Sequence, residues 1–443
     1  MTAQAPPSSR LTINRGNALT GRIPVPGDKS ISHRTLLLGC LAQGISHIRG
    51  FLPSTDSLAT LSCIRALRVP IESPDPDIPS ELVVHGVGLR GLSPPDAPLD
   101  CVRSGTTMRL LAGILAGQPF DAILTGDSQL LRRPMGRIVR PLRSMGAVID
   151  AVDGHAPLSI SPALLRGREH TLPVASAQVK SAILLAGLFA EGSTVVHQPG
   201  PARDHTELML QAMGTELEIS GLSVRLAPPA SPLAPLDLTV PGDVSSAAFP
   251  LVAGLLVPGS KITVDNVGIN PTRTGLFDVL QQMGADISFR GQRVQGGEPV
   301  ADVTARHTAL RPVEVSGDTV VRMIDEFPLL AVAATRAAGS TVVRDAAELR
   351  VKETDRIAVM ASELNKMGAD ITPRPDGFVV AGPTPLHGTH VDSHGDHRIA
   401  MALAVAGLLA TGETTIVRSA CISDSFPGFV ETMRDLGARM HQA

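Results

Sequence analysis

Two acids stand among cations in this sequence, Asp325 in IDEFPLLAVAA and Glu353 in RVKETDRI, and Lys29 and Arg34 stand close together in VPGDKSISHR. Clustered cations suit phosphates and carboxylates, and an acid placed among them suits proton transfer. The stretch ELRVKETDRIAVMASELNKMG carries Ile357, Met360, Leu364 and Met367 at helical spacing. Glu353 lies four residues before Ile357 on the same line. The spacing predicts Glu353 in the helix's first turn, partly desolvated, with the raised pKa that suits a general acid. Lys352 and Arg356 would be i,i+4 neighbours on an adjoining face. The plain alternative is a first-turn Glu that complements the helix dipole, with solvated cations beside it.

GDKS is not a nucleotide phosphate loop. That loop needs G-x-x-x-x-G-K-[ST], and here Asp28 follows Gly27 with no glycine at the earlier position. No GxGxxG opens a helix after a strand either.

The elements that must position these residues repeat. An Ala/Leu run, then a glycine, then a β-like stretch recurs six times, with glycines at 44, 117, 192, 259, 339 and 412. These glycines are expected to cap helices in the left-handed conformation. A second helix end follows in each copy, at Gly146, Gly214, Gly284, Gly368 and Gly437, with Arg68 in the glycine's place in the first copy. The fold class is α/β. Six units of this length, too long for a single-row solenoid, would make two similar domains of three units each, with the functional site in a cleft between them. VPGD occurs at 25–28 and again at 240–243 and marks the halves. The expected domains are 22–241, and 1–21 plus 242–443.

Fourteen residues before each glycine of the first set stand Ser30, Arg103, Gln178, Ser245, Asp325 and Arg398. All are polar, and each falls where its apolar helix begins. Capping accounts for Ser245 and in part for Asp325. It fails for Arg103, Gln178 and Arg398, because a cation at the positive end of a helix needs an anion nearby. Several helix N-termini facing one polyanionic ligand would explain them. Lys180, Arg322, Arg132, Arg133, Arg137 and Arg140 crowd the same starts, some of them as ordinary surface charges.

Composition narrows the function. Of 443 residues, 43% are hydrophobic and 18% charged, so the chain can fill a sizeable core. A net charge of −3 offers no general field for nucleic acid, and with no Trp or Tyr there is no stacking platform for bases. Four separated cysteines and thirteen histidines without paired-ligand spacing predict neither a zinc site nor a disulfide framework. The longest apolar runs, such as 399–410, fall short of the roughly 20 residues a bilayer needs. The expected setting is the cytoplasm, with no membrane partner, and the first ten residues read as a disordered tail.

Taken together, PGDKSISHR, SGTTMRLLAG, RRPMGR, SAQVKSAILLAG, RDHTE, PGDVSSAAFPLVA, IDEFPLLAVAA, RVKETDRI and DHRIAMALAVAG resemble the motifs of the 5-enolpyruvylshikimate-3-phosphate (EPSP) synthase family. The resemblance covers nearly the whole chain. It implies two domains, each of three βαβαββ units, closing on substrates like a clamp. It implies transfer of the enolpyruvyl group of phosphoenolpyruvate to the 5-hydroxyl of shikimate 3-phosphate, by addition and elimination through a tetrahedral intermediate. It implies no metal or organic cofactor, the two small molecules as the only partners, and a monomer. On matching motifs, Lys29, Ser30, Arg34, Ser176, Gln178, Arg203, Asp325 and Lys352 would hold shikimate 3-phosphate. Lys29, Gly105, Arg133, Gln178, Arg356 and Arg398 would hold phosphoenolpyruvate. Asp325 would take the hydroxyl proton, Glu353 would exchange a proton with the methylene carbon, and Lys29 would join the proton transfer.

Two positions depart from the family pattern. Val102-Arg103 replaces the usual Gly-Asn before SGTT, so Arg103 would either touch a substrate or pair with an acid elsewhere. Asp424 stands in ISDSFP where some members carry Lys. Gly105 leaves room for the analogue glyphosate, where Ala would intrude. Two other readings fit the composition. A UDP-sugar enolpyruvyl transferase would need a reactive loop cysteine, which none of the four matches. A non-catalytic anion-binding scaffold would leave Asp325 and Glu353 unexplained.

Overall fold

Helices of Ala, Leu, Val and Gly with no charged face must be enclosed on every side. Six such helices recur in the computed structural model, which describes residues 9–75 and 79–442. They are α1 (Lys29–Gly39), α2 (Gly105–Leu115), α3 (Ala177–Gly187), α4 (Val244–Leu256), α5 (Phe327–Ala334) and α6 (His397–Leu409). Every residue of α4 and α5 is buried. Each of the first five helices leads into a strand, a second helix and two further strands; α6 leads into a strand, a second helix and one strand, the other coming from the N-terminus. The second helices are two-faced: in Gly136–Ser144, Ile138, Val139 and Leu142 point inward while Arg137, Arg140 and Arg143 are exposed.

The second helices of all six copies end alike. The residue after the cap has positive φ: Arg68 (67°), Gly146 (103°), Gly214 (88°), Gly284 (90°), Gly368 (91°) and Gly437 (102°). The next amide closes back on the helix, as from Ala147 N to Leu142 O and from Ala369 N to Leu364 O, which is the Schellman arrangement. Arg68 does this as Arg, and its first-copy bond, Val69 N to Ile64 O at 3.4 Å, is long. The glycines of the first set behave differently from expectation. They lie beyond the helix ends, four of them in the turns into the next strands and two, Gly44 and Gly339, at the beginnings of those strands. Five of them have positive φ, but Gly117 does not. The apolar helices stop earlier, at right-handed or extended caps such as Cys40 and Val257.

There are six four-stranded sheets among the described residues. In the second copy Leu99–Asp100 pairs in parallel with Ala122–Thr125, which pairs antiparallel with His155–Ser161, which pairs antiparallel with Val148–Val152. All six sheets follow this order. Two of them take their leading strand from a distance. Thr20–Ile23 joins Lys261–Gly268, and Asp237–Thr239 joins Gln43–Arg49, both in parallel.

These exchanged strands divide the chain into two compact units. A terminal unit comprises 1–26, 242–293 and 299–443, and a central unit comprises 27–241 and 294–298. The first crossing falls at Pro26–Gly27 rather than near residue 21, because Thr20–Ile23 is committed to the terminal unit's sheet. The second falls within the other VPGD. Asp28 N donates to Pro241 O in one unit, and Asp243 N donates to Pro26 O in the other. Strand Arg10–Asn14 completes the terminal unit's last sheet between Glu413–Val417 and Arg439–Gln442. Of the ten residues expected to form a disordered tail, 1–8 lie outside the described residues, but Ser9 accepts from Ser419 N and Ala420 N, and Arg10 opens this strand.

Each unit has its own core. Seven of the ten phenylalanines lie in the terminal unit and meet edge to face, as in Phe249–Phe429, Phe426–Phe429, Phe277–Phe289 and Phe327–Phe378. In the central unit α2 and α3 cross so closely that a Cβ on Gly113 would lie 2.3 Å from the Ala182 carbonyl oxygen. That crossing needs glycine, and it sets the start of α3 beside the start of α2.

Arg68→Gly removes a side chain from a left-handed position at the cost of a looser unfolded chain. We expect a net gain of about 0.5–1 kcal/mol, read as a higher urea midpoint at unchanged slope. An unchanged or lower midpoint would mean that the surface pair of Arg68 with Asp96 outweighs the strain.

Candidate active site

In the central unit the site residues gather at three helix starts. Asp28 caps α1 by accepting from Ile31 N. Lys29, the first residue of α1, reaches Asp56 at 2.5 Å on the first turn of Thr55–Ala66. Ser30 follows, and Arg203, just ahead of helix His205–Ala212, donates to its hydroxyl at 3.4 Å. Arg34 lies deeper, 3% exposed. It donates from Nε to Thr206 Oγ1 (2.7 Å), from Nη1 to Ser30 O (2.9 Å) and from Nη2 to Ser181 Oγ (2.9 Å). Burial pushes its pKa down to about 10, with Glu207 the strongest opposing carboxylate. Three of its five N–H groups are thus spent on α1, α3 and the His205 helix.

The second cluster lies at the starts of α2 and α3. Ser176 caps α3. Gln178 accepts from Arg109 and donates to Thr106 Oγ1 at 2.9 Å. Gly105 opens α2, and a Cβ there would lie 3.1 Å from Arg109 Nη1 and 3.2 Å from Arg133 Nη1. Arg132, Arg137 and Arg140 are exposed, while Arg133 is half-buried. Arg103 is also largely exposed and pairs with Asp127 at 3.3 Å, so of its two expected roles the acid partner is the one seen. Val102 before it sits at φ 51°, a left-handed position that a β-branched residue resists. It is held there by Asp100 Oδ1 on its N–H and Asp127 N on its carbonyl.

Behind Lys29 a buried chain of hydroxyls runs between the helices. His33 Nδ1 meets Thr60 Oγ1 at 2.6 Å, Thr60 meets Thr107 at 2.7 Å, and Thr107 donates to Ser104, the cap of α2, at 2.6 Å. Burial pushes His33 down to about 3, against the pull of Asp56.

The terminal unit holds the acids. Arg356, the first residue of helix Arg356–Lys366, is 2% exposed and meets three carboxylates: Asp396 at 2.8 Å, Glu353 at 2.7 Å and Asp325 at 3.3 Å. Asp396 is fully buried and also caps α6 by accepting from Arg398 N and Ile399 N. Arg398 lies 3.6 Å from Asp325 and 3.9 Å from Glu326. Ser245 is not the cap of α4; Asp243 is. The Ser245 hydroxyl instead donates to Glu326, and Arg273 donates to both Ser245 and Asp243. Burial raises the Glu326 carboxyl. Asp325 does not cap α5 either; that place falls to Glu326, which makes no side-chain cap bond.

Glu353 departs from the expectation most clearly. It lies outside the helix, in the turn that ends before Asp355, the cap of Arg356–Lys366. Its side chain is 39% exposed. Burial works to raise its carboxyl, but Arg356, helped by His397, outweighs this and holds it far below the usual carboxylate range. The helical stripe of Ile357, Met360, Leu364 and Met367 is buried as expected, but it does not extend back to Glu353. Lys352 stands half-buried in the same turn, and Arg356 is no solvated flank.

Sequence spacing missed Asp56, Asp396, Glu326, Arg273 and Arg109. A signal existed for the caps. Two residues before Ser30, Gln178, Ser245 and Arg398 stand Asp28, Ser176, Asp243 and Asp396. Three of the four cysteines are held as unreactive thiols. Burial pushes Cys421 up to about 12 and Cys40 higher, while Cys63 and burial together raise Cys101, the reverse of a reactive thiol. Among the described residues no group of three or more His, Cys, Asp or Glu is arranged to hold a metal ion.

Lowering the pH should weaken the fold through His33. Its folded pKa lies below the unfolded value, so the unfolded chain takes up the proton first. Stability then falls as pH drops below about 6.5, by up to about 1.4 kcal/mol per unit, until the folded pKa near 3. Urea midpoints from pH 7 to 5 should fall less steeply in His33→Leu, and an equal slope would reject His33 as a source.

The EPSP synthase (3-phosphoshikimate 1-carboxyvinyltransferase) family model matches residues 13–433. The 3-phosphoshikimate 1-carboxyvinyltransferase of Geobacillus kaustophilus is 53% identical over 424 residues, covering 95% of this chain and 98% of that one. The enzyme of the same description from Citrifermentans bemidjiense is 51% identical over 432 residues, covering 97% and 99%. The solved EPSP synthase of Acinetobacter baumannii superposes with a TM-score of 0.91 at 45% identity, covering 98% of this chain and all of that one. The enolpyruvyl transferase NikO of Streptomyces tendae, at 21% identity and a TM-score of 0.81, shares the fold.

Proposed function

Because the chain belongs to the EPSP synthase family, we propose how its side chains share that family's reaction. The protein is a transferase of the shikimate pathway, on the route to aromatic amino acids. It passes the enolpyruvyl group of phosphoenolpyruvate to the 5-hydroxyl of shikimate 3-phosphate and releases phosphate. The proposed path is addition and elimination. The 5-hydroxyl oxygen bonds to the central carbon of phosphoenolpyruvate while the methylene carbon gains a proton. The tetrahedral intermediate then loses that proton and phosphate.

Asp325 takes the hydroxyl proton, and Glu353 gives and retrieves the proton at the methylene carbon. The observation that carries this assignment is the single buried guanidinium of Arg356, which gathers Asp325, Glu353 and Asp396 within 3.3 Å. Held so low, Glu353 is ionised without substrate. A substrate carboxylate that drew Arg356 toward itself would loosen that hold and let Glu353 carry a proton. Lys29, Ser30, Arg34, Ser176, Gln178, Arg203 and Lys352 hold shikimate 3-phosphate together with Asp325. Lys29, Gly105, Arg133, Gln178, Arg356 and Arg398 hold phosphoenolpyruvate. Lys29, which already meets a carboxylate at 2.5 Å, serves both substrates and joins the proton transfer. Arg34 reaches substrate only with the N–H groups that its internal bonds leave over. A monomer working in the cytoplasm completes the proposal, and four free cysteines suit a reducing compartment.

Asp325→Ala should keep shikimate 3-phosphate binding within a few fold and lose about 10²–10⁴ in kcat, measured as phosphate release from the two substrates. Wild-type turnover in that variant would remove Asp325 from the mechanism. Gly105→Ala places a methyl group against Arg133. It should raise the KM for phosphoenolpyruvate and, by about tenfold or more, the inhibition constant for glyphosate. Equal inhibition of both forms would show that Gly105 does not border the inhibitor.

A further inference from the structure

Lys180 and Glu207 are each 1% exposed and lie 2.5 Å apart, on α3 and on helix His205–Ala212. Neither belongs to the substrate set above. Burying such a pair brings little stability, since an apolar pair of similar volume often serves as well. An apolar pair could not hold a carbonyl, and this pair does: Lys180 Nζ also donates to Ala202 O at 3.3 Å. Ala202 directly precedes Arg203, whose Nη1 reaches Ser30 Oγ at 3.4 Å. The neighbouring turn of the same two helices is tied as well, through Ser181 Oγ and Thr206 Oγ1 at 2.7 Å, and both hydroxyls accept from Arg34. The ammonium therefore fixes the chain immediately ahead of one substrate arginine, beside the hydroxyls that fix the other.

We infer that Lys180, held in place by Glu207, is a positioning residue for Arg203 and thereby sets the affinity for shikimate 3-phosphate. The inference rests on the assignment of Arg203 to that substrate. Without Lys180 the helix His205–Ala212 remains, but the non-helical segment 199–204 ahead of it loses the anchor that aims the guanidinium at Ser30. Arg203 must then be ordered when substrate binds, which appears as weaker binding rather than slower chemistry.

The test replaces the pair together, Lys180→Met with Glu207→Leu, so that no lone charge is left buried. Calorimetric binding of shikimate 3-phosphate alone should weaken by about tenfold or more. The kcat and the KM for phosphoenolpyruvate should stay within about twofold, with a thermal midpoint close to wild type. Lys180→Arg, which keeps a cation and donors for the Ala202 carbonyl, should recover most of the affinity. Arg203→Ala should weaken binding by itself, and adding it to the apolar pair should cost little more, because both changes remove one interaction. Unchanged binding in the apolar pair, or losses that multiply in the triple variant, would overturn the inference while leaving Arg203's assignment intact. Unchanged binding in Arg203→Ala would overturn that assignment and the inference with it. If the apolar pair does not fold, Lys180→Gln with Glu207→Gln, which loses both charges and shortens the donor, is judged by the same outcomes.

Discussion

A positive charge at the N-terminal end of a helix is held at a cost unless an anion meets it. This chain places cations at several such ends. Lys29 opens α1, Arg356 opens its helix and Arg398 stands second in α6. In every case a carboxylate of the protein answers: Asp56 for Lys29, Asp396, Glu353 and Asp325 for Arg356, and Asp325 and Glu326 for Arg398. The acids proposed for proton chemistry and the acids that balance charge are therefore the same or adjacent groups. On the proposed assignment, a substrate phosphate or carboxylate would compete with them for the same cations, which would couple binding to acidity through shared partners.

The repeat makes this arrangement possible. One βαβαββ unit offers one enclosed helix with one polar start, and three units give each compact body three starts. Leading strands are exchanged across the two VPGD segments, so neither body is built from one continuous stretch of chain. Close crossings such as Gly113 against Ala182 then bring separate starts within hydrogen-bond reach, as Arg109 and Gln178 show.

Much of this was legible because it is periodic. The six helices, the six glycine-type helix ends and the polar starts follow from spacing alone, and Arg68 was visible as the irregular member whose φ of 67° marks its strain. The site was less legible wherever side chains act outside the period. Glu353 continued a helical stripe on paper, yet the turn before the Asp355 cap carries it off that line. Serine beside a helix start suggested a cap at Ser245, while Asp243, two residues earlier, takes the amide and frees the hydroxyl for Glu326. Asp56 and Arg273 reach the site from second helices or their approaches, and no count along the first helices finds them. The direction of the Glu353 shift depends on Arg356 winning over burial, a contest of distances that sequence does not contain.

The phenylalanine pairs carry a practical consequence. With no Trp or Tyr, the protein is nearly silent at 280 nm, and its aromatic signal near 260 nm comes from phenylalanine alone. All the edge-to-face pairs found among the described residues belong to the terminal unit, where the rings are locked in asymmetric surroundings. Near-ultraviolet circular dichroism is therefore weighted toward the terminal unit, which holds seven of the ten rings. A single tryptophan introduced in the central unit would give the other half its own colour, so that the two cores could be watched unfolding separately in one cuvette.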